Sequence, residues 1–195
     1  MKTIAVIILL AVSVLSGLQG YIYSEFDACI KRTEQQFYKK EFSLALAAIK
    51  ELRDNRWYRT MKTYSSLDIL EIDKKLDYQL GRILLGQGKL KEAYAAFEQC
   101  ATAESAELSS YCLYQQGNTA LYQGNINTAE KKWQDSMAKS IGGHDFDAQV
   151  NLELLKNDKK KTDAVAVINM LNHRRSSGPS FFLRPPSQKS GSVKP

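Results

Sequence analysis

An internal repeat constrains this chain more than any other feature of its 195 residues. One stretch holds Tyr78-Gln79-Leu80-Gly81, Gln87-Gly88-Lys89-Leu90, Ala93 and Phe97. A second holds Tyr114-Gln115-Gln116-Gly117, Gln123-Gly124-Asn125-Ile126, Ala129 and Trp133. The second copy lies 36 residues after the first: Gly81 becomes Gly117, Gly88 becomes Gly124, Ala93 becomes Ala129 and Phe97 becomes Trp133. Self-similarity at a fixed period is the mark of stacked units that cannot bury their apolar faces alone.

The spacing has a direct physical reading. Leu80, Ile83 and Leu84 make one face of a helix. Gly88 falls where a glycine just past a helix end would stop it. Leu90, Ala93, Phe97 and Cys100 then recur at steps of three and four, the stripe of a second helix. Gly81 and Ala93 are small where two antiparallel helices would cross. The unit is a helix–turn–helix.

A weaker copy precedes these two. Phe42, Ala45, Ile49 and Leu52 repeat the second-helix pattern, after a Tyr38-Lys39-Lys40-Glu41 turn that lacks its glycine. Its first helix is expected from about residue 25 to 39. The step from Ala45 to Ala93 is 48 residues, so about a dozen are inserted around 55–67. Small arrays need about three units to bury a continuous core. After the last clear unit, Phe146, Val150 and Leu154 form a stripe behind Asp145 or Asp147 as N-cap, which predicts a helix capping the open end.

The small–turn–small–aromatic positions Gly81, Gly88, Ala93 and Phe97, with Gly117, Gly124, Ala129 and Trp133, resemble those of tetratricopeptide-repeat (TPR) proteins. The usual TPR unit is about 34 residues; here two extra residues fall in the 102–107 stretch, and the Pro that ends a typical repeat is absent from both copies. The fold this implies is all-α, an antiparallel helix-pair solenoid of two clear repeats (about 75–107 and 111–143) plus one degenerate. The helical domain spans 25–156, followed by a short helix within 157–173 and a disordered tail over 174–195. Gln116-Gly117-Asn118, Tyr122-Gln123-Gly124-Asn125, Trp133 and Asp147-Ala148 with Asn151-Leu152-Glu153-Leu154 further resemble the membrane-anchored TPR proteins of bacterial Bat (aerotolerance) operons and the related MxaK type. That resemblance covers about residues 75–156. It implies protein partners, a von Willebrand A-domain or AAA+ associated membrane complex, and a role in stress tolerance or enzyme maturation.

The first 24 residues set the compartment. Ile4 to Leu18 is interrupted only by Ser13, Ser16 and Gly17, and residues 3–23 carry no charge. About 20 apolar residues span a bilayer as a helix. Lys2 in front and Glu25 and Asp27 behind orient the chain N-in, C-out. Two readings stand: an uncleaved anchor with Tyr21 and Tyr23 at the far interface, which is favoured, or a signal peptide cleaved after Val14-Leu15-Ser16. Both export the remaining chain, to the periplasm or beyond.

The net charge of +6 invites a nucleic-acid reading. Its location removes that invitation. Residues 156–195 hold nine Lys and Arg against Asp158 and Asp163, so the tail carries +7 and residues 1–155 carry −1. No nucleic-acid partner is expected for an exported protein of this kind. In the tail, Phe181-Phe182-Leu183 is an apolar triplet suited to docking on a partner or on the chain's own repeats.

No Walker A, dinucleotide-binding glycine pattern, zinc-protease or hydrolase motif is present. His144 and His173 have no matched Cys pair, so no metal and no cofactor are expected. An enzyme built on the 53–75 insert and the tail would lack a nucleophile–base pair. The expected function is a non-enzymatic adaptor for protein–protein interaction, tethered to the membrane, with a secreted host-directed TPR effector as the alternative. Its groove would be lined by exposed Gln79, Arg82, Gln115, Asn118 and Tyr122 on the first helices. Cys100 and Cys112 sit about equally far from the inter-unit turn on antiparallel neighbours, which allows a disulfide in an exported protein; Cys29 is left over.

Overall fold

The computed structural model describes residues 2–64, 71–141 and 146–158, without the side chains at 2–5, 8, 11, 61, 64 and 158. Every regular element among them is helical. The expected helix over 163–172, the basic tail, the 181–183 triplet, His144, Asp145 and His173 lie outside the described residues. The chain divides into two compact units, Met1–Leu152 and Glu153–Pro195. In the second, only the end of one helix is described.

Three pairs of helices follow one another in the first unit: α1 (Lys2–Tyr38) with α2 (Phe42–Asp54), α4 (Ile72–Gly86) with α5 (Leu90–Cys100), and α6 (Ala106–Tyr122) with α7 (Ile126–Lys139). Within each pair the helices run antiparallel. Cys29 Sγ reaches the Ala48 carbonyl oxygen at 3.3 Å, whereas the rings of Phe37 and Phe42 meet near the turn, 5.7 Å apart. Likewise Lys74 Nζ donates to the Gln99 carbonyl oxygen at 3.1 Å while Tyr78 lies 6.0 Å from Phe97. In the third pair Ser110 Oγ donates to the Ser136 carbonyl oxygen at 3.0 Å, and Trp133 Nε1 reaches Asn118.

All three pairs turn in the same way. Glu41 N donates to the Gln36 carbonyl oxygen at 2.8 Å, Lys89 N to Leu84 at 2.9 Å and Asn125 N to Ala120 at 2.9 Å. In each case the preceding residue donates three residues back. This is the Schellman closure of a helix end, and it requires a left-handed residue at its centre. Gly88 and Gly124 supply it at φ of 74° and 79°. Lys40 takes the same conformation at φ 61°, a position where a side chain costs about 1 kcal/mol or more. The turn without its glycine is therefore the same turn.

The helix crossings are also built alike. Ala45, Ala93 and Ala129 are fully buried at matching places. Opposite them, a Cβ on Gly81 would sit 2.6 Å from the Phe97 ring, and one on Gly117 would sit 2.5 Å from the Trp133 indole. Only glycine lets those rings lie against the helix backbone. In the first pair the same two places hold Thr33 and Ile49, both buried. A smaller partner leaves room for the threonine side chain.

Where the insert was expected, Arg56–Tyr64 forms α3, packed on α1 and α2. Asn55 starts it: its Oδ1 accepts from Trp57 N at 2.9 Å and Tyr58 N at 3.2 Å, an N-cap read from a single residue. The first helix is longer than the expected 25–39, running unbroken from Lys2. Its buried stripe, Ile22, Phe26, Cys29, Ile30, Thr33 and Glu34, begins only past residue 20. Before that, Val6, Ile7, Leu9, Leu10, Val12, Val14 and Leu15 are exposed on all sides. Among the described residues no helix is long and apolar enough to cross a membrane; part of the uncharged run falls on side chains outside that set.

The last helix, α8 (Phe146–Asp158), corrects one expectation. Phe146 is 70% exposed, and Val150 and Leu154 are only half-buried. Within the first unit the buried face is Ala148, Asn151 and Leu152. The apolar stripe was the wrong guide because the facing surface of α6 is polar, and Asn151 answers it with hydrogen bonds.

Candidate functional site

The first helices of the three pairs, α1, α4 and α6, each present one side chain just after the small crossing residue. These are Glu34, Arg82 and Asn118. The repeat steps of 48 and 36 residues put them in equivalent places. Their surroundings differ sharply.

Arg82 is held from three directions. Its guanidinium lies 4.8 Å from the Phe37 ring and 5.8 Å from the Tyr78 ring, a cation between two aromatic side chains. Nη1 donates to Gln79 Oε1 at 3.1 Å and stands 3.7 Å from Glu34 Oε1. Glu34 is buried, and that burial pushes its carboxyl pKa up; the charge of Arg82 pulls it back without cancelling the rise. Glu34 Oε1 and Gln79 Nε2 have no hydrogen-bond partner among the described residues. The arrangement is thus a cation with donors to spare, fixed in direction by aromatic walls, next to a carboxyl group that is poorly satisfied.

Asn118 has a different job. Its Oδ1 accepts from Trp133 Nε1 at 3.2 Å and from Asn151 Nδ2 at 3.1 Å, while its Nδ2 donates to Gln115 Oε1 at 3.4 Å. Asn151 also donates to the Tyr114 hydroxyl at 3.4 Å. This one side chain ties α6 to α7 and α8. Next to it Gln116 is fully buried, with neither amide atom bonded among the described residues.

Two of the expected groove residues are therefore not exposed. Asn118 is 3% exposed and Gln79 1%. Following a repeat glycine does not point Asn118 outward; the large Trp133 indole lies over that glycine and its N–H needs an acceptor, which Asn118 provides. Gln79 lies under Arg82. Arg82, Gln115 and Tyr122 remain half-buried on the first helices. Glu34, Phe37 and Tyr78 belong with them and were not singled out from the sequence. The signal for Glu34 was present: the step of 48 residues sets an acid where the next unit has Arg82.

Cys100 and Cys112 are joined as a disulfide, with Cα atoms 5.7 Å apart, and it staples α5 to α6 across two successive pairs. Cys29 is a buried free thiol whose pKa is raised by burial, against the pull of its Thr33 hydrogen bond. Among the described residues no group of three His, Cys, Asp or Glu is placed to hold a metal ion. No protein-family model, curated protein or solved structure matches this chain.

Proposed function

We propose that this chain is a TPR-like adaptor, anchored in a membrane by residues 3–23, that binds a protein partner in the periplasm along the faces of α1, α4 and α6. The observation that carries the reading is the threefold recurrence of one turn and one buried alanine, with a glycine–aromatic crossing in two of the three pairs. Stacked antiparallel pairs with that recurrence are the build of helical-repeat binding proteins, whose first helices line a continuous surface. The exposed apolar side chains around the start of α1 support the anchor, since about 21 residues at 1.5 Å each cover the roughly 30 Å of a bilayer core. The role is binding, with Arg82 as the fixed cation for an acidic or amide group of the partner. A complex of the Bat or MxaK kind, with von Willebrand A-domain or AAA+ members, is the proposed setting.

The test is a crosslinked pull-down from intact membranes with the full chain. Substituting Arg82→Ala and Tyr122→Ala together is expected to lose the co-purifying partner while the helical circular dichroism is retained. Unchanged partners with both alanines in place would sink the groove. N-terminal sequencing of the membrane-extracted protein gives Met1 or the adjoining Lys2 for an anchor; a start after residue 16 would replace the anchor by a cleaved signal.

A further inference from the structure

We propose that α3 is a membrane-surface helix, lying on the anionic headgroups beside the anchor and fixing how the repeat body stands on the bilayer. This rests on the anchor reading and adds to it a second, electrostatic contact with lipid.

The position of α3 follows from the packing of its neighbours. α2 runs back along α1, from Phe42 beside Phe37 to Ala48 beside Cys29. Six residues further, the end of α2 at Asp54 reaches the level of the Ile22–Phe26 stretch. α4 agrees: Arg82 is level with Glu34 and α4 runs parallel to α1, so its start at Ile72, ten residues earlier, falls level with residue 24. α3 joins those two ends and touches α1. It therefore occupies the rim of the body nearest residue 23, where the uncharged run stops.

Its chemistry suits that rim. The sequence Arg56-Trp57-Tyr58-Arg59-Thr60-Met61-Lys62-Thr63-Tyr64 has three cations and no acid. Tyr58 faces inward, buried, with its hydroxyl donating to Asp73. Arg56, Trp57, Arg59 and Thr63 are exposed; by the helical period Arg56 and Thr63 lie opposite Tyr58, with Trp57 and Arg59 on its two flanks, about 100° to either side. Trp57 is 48% exposed, with the Arg56 guanidinium 5.8 Å from its ring centre. A large ring with an indole N–H, flanked by long cations, is the composition of a helix that lies in the interface plane. Asp73 neutralises Lys62, so the free charge of α3 rests on Arg56 and Arg59, and the exposed Glu25 and Asp54 at the same rim pair with neither among the described residues. Asp73 is taken by Lys62 and Tyr58, and Asp27 pairs with Lys31 at 2.6 Å. Arg56 and Arg59 have no ion-pair partner among the described residues.

The full chain is reconstituted into vesicles of phosphatidylcholine with or without 30 mole per cent (roughly the anionic share that gives a strong surface potential) phosphatidylglycerol. Brominated acyl chains then quench tryptophan at the interface. Trp133 is fully buried, so quenching reports on Trp57, and W57F removes the signal. With anionic lipid, Trp57 is expected to be quenched and blue-shifted, and high salt is expected to reduce both. R56E with R59E is expected to shift the bound fraction by about fivefold per reversed or lost cation contact. If the chain floats with the vesicles but Trp57 is equally unquenched in both lipids, α3 faces water or another protein and the inference is overturned while the anchor stands. If the chain does not float at all, the anchor reading itself fails.

Discussion

The sharpest consequence of the fold lies at the helix crossings. Two pairs match glycine with a large ring, Gly81 with Phe97 and Gly117 with Trp133; the first pair matches Thr33 with Ile49. If these are alternative solutions to one packing problem, the second pair should accept the first pair's residues only when both change. A Cβ at position 81 lies 2.6, 2.7 and 2.9 Å from three atoms of the Phe97 ring. That ring is fully buried and has no room to retreat. Overpacking of this kind costs about 1–3 kcal/mol, and the branched threonine of G81T sits at the upper end. The helix-propensity gain over glycine returns only a few tenths of a kcal/mol. F97I alone leaves a void and costs about 2 kcal/mol.

Independent effects would sum to about 5 kcal/mol for the double variant. The crossing geometry instead predicts a favourable coupling of about 1–3 kcal/mol, the range for residues in direct contact. The assay is urea unfolding of the detergent-solubilised full chain followed by far-ultraviolet circular dichroism, for wild type, both single variants and the double. The midpoint of the double variant is expected above the sum of the single losses. Additivity to within about 0.5 kcal/mol would refute the claim that the three crossings are equivalent.

Asn118→Ala is expected to cost about 2–3 kcal/mol, because it strands the buried Trp133 N–H and the Asn151 amide at once; Trp133 fluorescence during urea unfolding reads it, and a loss under about 0.5 kcal/mol would show that the network is slack. Removing the disulfide by C100A with C112A is expected to lower stability by about 3 kcal/mol, since it closes a loop with a sequence separation of 12. The same unfolding midpoint measures it, and an unchanged midpoint would mean that packing of α5 on α6 suffices. Asp73 sets an acid limit. Burial raises its pKa, but bonds from Lys62 and Tyr58 with the charges of Lys62 and Arg53 outweigh that, and the net shift is downward from 3.8. A depressed carboxylate contributes stability that is present above its unfolded value and is lost as pH falls through its folded value. Asp73→Asn is expected to flatten the loss of stability below about pH 4; an identical acid limb in the variant would contradict it.

The parts of this fold that could be read from the sequence are those set by residues close in the chain. Gly88 and Gly124 announced their turns because φ near 75° has few other occupants. Equal spacing about one turn allowed the Cys100–Cys112 pairing without requiring it. Lys40 concealed a third turn, because the hydrogen bonds that hold it left-handed involve any backbone and no particular side chain. The burial of Gln79, Asn118 and Asn151 was illegible for a different reason. α6 buries eleven of its 17 residues, since helices pack against it on several sides. In a helix so enclosed most polar positions are buried too, and the Asn118 amide is satisfied by partners 15 and 33 residues away. The expectation for the groove put Gln79 and Asn118 on the surface, and periodicity put Phe146 in the core.

The equivalent positions Glu34, Arg82 and Asn118 make a further point about how such a chain divides its surface. One backbone geometry recurs, so the residue after the crossing is free to change chemistry from unit to unit. At the third unit that freedom is used inward: the amide is consumed by Trp133 and Asn151, and α8 lies over it. At the first and second units the residues are oppositely charged, yet 3.7 Å apart rather than in a close pair, and one oxygen of the acid has no hydrogen-bond partner among the described residues. A buried pair this loose contributes little to folding, because the cost of desolvating both charges is not recovered. Stability along this line of equivalent positions therefore rests on Asn118 at the third unit, and the loose Glu34–Arg82 pair adds little to it.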